Sequence, residues 1–180
     1  MTPSPEPVRA RMRSKLESAV AIARRRLPGS KLVSIFGFVV DEFGTVLLGK
    51  PGAFINRWEY AFKGRDPQLN AREDVYLTVL YWMDPLQPTV SIPAGNVVCT
   101  EPFPDEIVWK LLDSDVIVAA FHRFTPLARL TGSENDFVMY KMEDGTPTAI
   151  VTNAERQSFN LHAIDGAPIE PRPRRRITQS

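Results

Sequence analysis

Residues 31–49, KLVSIFGFVVDEFGTVLLG, are the longest apolar run of the chain, and a turn signal interrupts them. Side chains alternate along a strand. Leu32, Ser34, Phe36, Phe38 and Val40 therefore share one face, and Val33, Ile35, Gly37 and Val39 the other. Both faces are apolar, the pattern of a central strand covered on both sides. Asp41-Glu42-Phe43-Gly44 supplies a turn in which glycine is free to take positive φ. Thr45–Leu48 is expected to return as the second strand of a hairpin. Gly37, lacking a side chain, is expected to let the first helix approach closely. On this reading Phe36 and Phe38 belong to the core.

Upstream, Val8, Met12, Leu16, Ala19, Val20, Ala23 and Leu27 recur at helical spacing and make one apolar stripe. Ser4 or a neighbour is expected to cap this helix, with Pro5 or Pro7 in its first turn, and Pro28-Gly29 stops it. Downstream, Arg57–Lys63 alternates as a strand. Residues 70–83 read as a helical or irregular start followed by a strand, because Asn70 and Glu73 have capping-box spacing while Val75–Met83 is β-branched and aromatic. Short strands are expected at Thr89–Ile92 and Asn96–Thr100, and a second helix at Pro104–Leu112. Val116–Phe121 reads as an apolar strand. Phe137–Met142 and Thr148–Thr152 read as a second hairpin, and Ser158–Ile164 as a last strand. No internal repeat is evident. The expected fold is α+β, a largely antiparallel sheet of about six to nine strands with the N-terminal amphipathic helix and the second short helix packed on it. A flexible lead (1–7), one domain (8–166) and a Pro/Arg-rich tail (167–180) complete the layout.

Net charge is +1, unevenly spread. Residues 5–27 hold seven basic and two acidic side chains, residues 172–176 hold four arginines, and the body between them carries 11 basic and 19 acidic residues. Basic ends on an acidic body suit a partner or a neighbouring copy of opposite charge. No apolar run reaches the roughly 20 residues a membrane helix needs, and the single cysteine, Cys99, permits no internal disulfide. Both fit a cytoplasmic protein.

No stretch carries a catalytic signature. The two histidines, His122 and His162, and Cys99 lack metal-ligand spacing, so no metal or other cofactor is expected. Cys99 with either histidine would make a nucleophile pair only if the fold joined them; in the run Val97-Val98-Cys99 a buried thiol is the plainer reading. Paired acids such as Asp41/Glu42, Asp105/Glu106 and Asp113/Asp115 sit at turns and helix starts, where acids are expected anyway. Gly49-Lys50-Pro51-Gly52 lacks the phosphate-loop pattern. Two features remain. Trp58, Tyr60 and Phe62 share one strand face flanked by Arg57, Lys63 and Arg65, and aromatics so placed either pack a core or meet a partner. The arginines Arg11, Arg24, Arg25, Arg26, Arg172, Arg174, Arg175 and Arg176 offer a charged surface. The expected function is a non-catalytic assembly subunit that contacts a protein partner or its own copies through these arginines with Trp58 and Tyr60. Nucleic-acid binding through the arginine-rich ends, and a small enzyme with a pocket near Cys99, His122 or the aromatic stripe Trp58, Tyr60 and Phe62, are the alternatives.

Overall fold

The computed structural model describes residues 3, 5–66, 68, 74–92 and 101–171. Among them are nine strands and three helices. In chain order these are β1 (Val8–Ala10), α1 (Met12–Arg26), β2 (Lys31–Phe38), β3 (Val46–Leu48), β4 (Arg57–Gly64), β5 (Val75–Tyr81), β6 (Thr89–Ser91), α2 (Asp105–Val108), α3 (Ser114–Phe124), β7 (Phe137–Glu143), β8 (Thr146–Thr152) and β9 (Ser158–His162). Seven strands form one antiparallel sheet in the order β6-β5-β4-β2-β7-β8-β9, and β1 pairs with β3 in a separate ribbon. This is the α+β architecture expected from the sequence. The strands expected at residues 96–100 and the start expected at residues 70–73 lie outside the described residues.

The topology is duplicated, although no sequence repeat announces it. α1 is followed by the meander β2-β4-β5, and α3 by the meander β7-β8-β9. The leading strands, β2 and β7, pair antiparallel at the centre, Phe36 opposite Met139 and Phe38 opposite Phe137. The two halves are thus related by a pseudo-two-fold axis through the sheet. The plan is broken in two places. β2 and β4 are joined through residues 39–56, whereas β7 and β8 are joined through 144–145; α1 reaches β2 through 27–30, whereas α3 reaches β7 through 125–136. Both long connections emerge at the same end of the sheet, because the end of β2 lies beside the start of β7.

The decisive stretch folds differently from its hairpin reading. The turn exists: Asp41 accepts bonds from the Phe43 and Thr45 amides and from the Thr45 hydroxyl. But Val39 has φ of 62°, a left-handed conformation that a β-branched residue rarely adopts. It takes the chain out of the sheet, so the returning strand β3 pairs with β1 (Val46 with Ala10, Leu48 with Val8) and not with β2. The partners of β2 are β4 and β7.

One face of the sheet is the core face. Ile35, Trp58, Tyr60, Phe62, Leu77, Val79, Val138, Tyr140, Ala149, Val151 and Leu161 are buried there, together with Met12, Leu16, Ala19 and Ala23 of α1 and Ile117, Val118 and Phe121 of α3. A register shift between Leu32 and Ser34 turns Leu32 onto this face as well. Gly37 accommodates the Trp58 ring rather than the first helix; a Cβ at Gly37 would stand 2.5 Å from ring carbons of Trp58.

Val116–Phe121, expected as a strand, lies within helix α3. Asp113 is its N-cap, with the carboxylate accepting from the Ser114 amide. The buried positions Ser114, Ile117, Val118 and Phe121 follow helical spacing, and Val116 faces outward. The helix expected at Pro104–Leu112 is the single turn α2. Helix α1 begins at Met12, later than expected, and Val8 lies in β1. Its first amides are capped across the fold: Met12 N–H donates to Ser114 Oγ and Arg13 N–H to Asp113 Oδ1. One carboxylate, Asp113, therefore serves the N-termini of both long helices, where negative charge is favoured. Of the expected tail, the Ile169 amide donates to the Asn160 carbonyl and Pro168 bridges to Leu161 alongside β9.

Candidate functional site

The face of the sheet opposite α1 and α3 is built from the residues that alternate with the core set. Reading across β5, β4, β2, β7 and β8, one row holds Leu80, Glu59, Phe36, Met139 and Ile150. The next holds Arg57, Phe38, Phe137 and Thr152. Phe36, Phe38, Phe137, Met139, Ile150 and Leu80 are half-buried, not enclosed. Phe36 and Phe38 were expected in a core covered on both sides; their face instead carries no described helix. The rings of Phe36 and Phe38 stack at 4.5 Å, Phe137 lies 5.2 Å from Phe36, and the Arg57 guanidinium sits 4.1 Å above Phe38. Such contacts hold an aromatic cluster in one arrangement before anything binds.

The charges on this face are locally neutralised. Arg57 pairs with Glu59, Lys141 with Glu143 at 3.7 Å, and Lys63 with Asp74 at 3.2 Å. The two rows cross five strands, about 24 Å, and stand about 7 Å apart along them; their six apolar residues cover on the order of 200 Å².

The expected contact residues are placed as follows. Trp58 and Tyr60 are fully buried, which removes them from any surface. Trp58 Nε1 donates to the Ala10 carbonyl at 2.8 Å, and the Tyr60 hydroxyl donates to the Met12 carbonyl. They are core residues that fix the entry into α1. Burial first, then the neighbouring Tyr81 and Tyr140 and the Asp113 charge, push the Tyr60 ionisation well above its ordinary value. Tyr140 is pushed up in the same way, by burial and then by Asp113 and Asp115, and donates to the Leu112 carbonyl at 3.0 Å. Both hydroxyls therefore remain neutral donors.

Arg11 is spent within the chain, paired with Asp115 at 2.9 Å, and Arg9 beside it pairs with Asp41. Arg24, Arg25 and Arg26 are exposed in the last turn of α1, where cations complement the helix dipole, and form no ion pair among the described residues. Arg172, Arg174, Arg175 and Arg176 lie outside the described residues, as does Cys99. His122 is a structural histidine: its Nε2 accepts from the Leu130 amide at 3.2 Å. Burial, and then the Arg129 charge, lower its pKa against a smaller opposing pull from Glu42. Among the described residues no three His, Cys, Asp or Glu side chains gather as a metal site, and no helix is long and apolar enough to cross a membrane.

The sequence holds the signal for the open face, in the alternation of β2 and β7. Apolar residues on both sides of β2 suggest two covered faces, and nothing local says which side the helices take. Comparison of the chain with protein-family models, with curated proteins and with solved structures gives no match.

Proposed function

We propose that the chain is a non-catalytic assembly subunit, and that its docking surface is the open sheet face, packed against the same face of a second copy. The observation that supports this is the stacked cluster Phe36–Phe38–Phe137 on the side of the sheet away from the helices. A symmetric contact sets each surface against itself, so unpaired charges on the face would repel. Here Arg57, Lys63 and Lys141 each have a carboxylate partner in their own chain. The same pairing disfavours phosphate binding on this face, because these cations are already neutralised and release few counterions on meeting phosphate. The six apolar residues cover only about 200 Å² per copy, below the size of a stable specific interface, so association is weak and reversible. Arg24, Arg25 and Arg26 remain available at the rim of the molecule for a further acidic contact.

Analytical ultracentrifugation over a concentration series up to millimolar tests the proposal. The expected result is a concentration-dependent monomer–dimer equilibrium that the double substitution Phe36→Ser with Phe137→Ser abolishes. A strict monomer at every concentration, or a dimer unaffected by the substitution, contradicts it.

A further inference from the structure

The two connections that break the pseudo-two-fold plan, residues 39–56 and 125–136, meet at one end of the sheet. Between them lies a cleft of about 440 Å³, within the size range of small-molecule sites. Twelve of its thirteen lining residues come from these two connections; Arg9 is the other. The duplicated scaffold would close both links with a few residues, as it does at 27–30 and 144–145. Extra chain held on a rigid frame is where binding groups are commonly carried.

The polar groups of the cleft divide into those already satisfied and those that are not. Arg9 and Asp41 neutralise each other, and Asp41 is further occupied by the Phe43 amide and by the Thr45 amide and hydroxyl. Lys50, Arg129 and Glu42 form no ion pair among the described residues, leaving an excess of one positive charge. Asn56 is nine-tenths buried in the cleft wall. Its side-chain amide makes no hydrogen bond among the described residues and is left open to the cleft. Phe43, 65% exposed, stands on the lip. The wall also contains the strained backbone of Val39.

We infer that this cleft binds a small molecule bearing an oxyanion. Lys50 and Arg129 hold the anionic group, the Asn56 amide bonds a polar atom beside it, and Phe43 covers an apolar portion. The cleft shares no lining residue with the docking face, although Phe38, Arg57 and Phe137 of that face lie at the same end of the sheet.

Isothermal titration calorimetry of the full chain with phenyl phosphate, inorganic phosphate and phenol tests the inference. Phenyl phosphate is expected to bind saturably, more tightly than inorganic phosphate because of Phe43, with phenol showing no binding. The double variant Lys50→Gln with Arg129→Gln should lose roughly tenfold or more in affinity, as loss of charged hydrogen bonds does, while its thermal midpoint stays near that of the parent. Asn56→Ala should weaken binding by a smaller factor. Absence of saturable binding at millimolar phenyl phosphate, equal binding of phenol, or unchanged affinity in the double variant overturns the assignment.

Discussion

In the first half of the molecule, eighteen residues separate β2 from β4; in the second, two residues separate β7 from β8. The helix-to-strand links differ in the opposite sense, short in the first half and long in the second. Apart from the edge strand β6, the rest of the plan is matched: a helix on the core face, a three-stranded meander, and a buried tyrosine whose hydroxyl holds the chain near the start of each long helix, Tyr60 at Met12 and Tyr140 at Leu112. The matched parts carry stability and the unmatched parts build the cleft. A second contrast cuts across the first. The sheet has a sealed face, where Trp58 fills the notch over Gly37, and an open face, where the phenylalanines stack on one another.

The largest effects should come from the sealed face of the first half. Trp58→Ala removes a fully buried indole and its bond to Ala10, and should cost ~3–5 kcal/mol in chemical denaturation. Gly37→Ala drives a Cβ into the same ring and should cost about 1–3 kcal/mol by overpacking. A neutral outcome for either would mean that the ring lies elsewhere.

Asp113→Ala breaks the point where the halves share a cap. Losing caps at two helix N-termini should cost about 2 kcal/mol, still in one cooperative transition, because residues of both halves form one core. Two separated transitions would show that the halves fold independently.

Tyr60→Phe and Tyr140→Phe should each cost about 1 kcal/mol or somewhat more, since a buried carbonyl loses its donor. Similar values would support the matched plan; a large disparity would break it. Phe36→Ala, on the open face, should cost distinctly less than Trp58→Ala, about 1 kcal/mol, because a half-exposed ring forfeits only part of its transfer energy. The smallest expected effect is at His122. Its pKa is lowered in the fold, so the unfolded chain binds the extra proton first as pH falls. The contribution is complete above the ordinary histidine value of about 6.5 and is lost as pH drops through the lowered value. Urea midpoints measured at neutral and mildly acidic pH should fall on acidification, and His122→Gln, which still accepts from Leu130, should flatten that fall.

Much of the scaffold is legible in the sequence because it is written in local periodicity. The stripe Met12, Leu16, Ala19, Val20, Ala23 gives α1, the alternation of residues 57–63 gives β4, and Asp144-Gly145 gives the β7–β8 hairpin. Val116–Phe121 misleads because a short continuous apolar run suits a buried strand and a buried helix alike; the capping Asp113 and the spacing of Ile117, Val118 and Phe121 are the deciding signals. The fate of β3 is not local at all. It depends on Val39 adopting a backbone conformation its side chain disfavours, and on β1 being there to receive the returning strand. The site residues divide in the same way. Trp58 and Tyr60 are visibly aromatic, but which face of β4 meets the helices is set by packing across the whole sheet. The cleft is invisible in sequence, since it joins two connections that lie far apart along the chain.

The most direct test of the docking face is an NMR dilution series that follows assigned methyl and aromatic signals. The account predicts that concentration-dependent shifts cluster on Phe36, Phe38, Phe137, Met139 and Ile150, with the core-face residues Trp58, Tyr60 and Val138 unmoved. Shifts confined to α1 around Arg24–Arg26, or no shifts at any concentration, would contradict it.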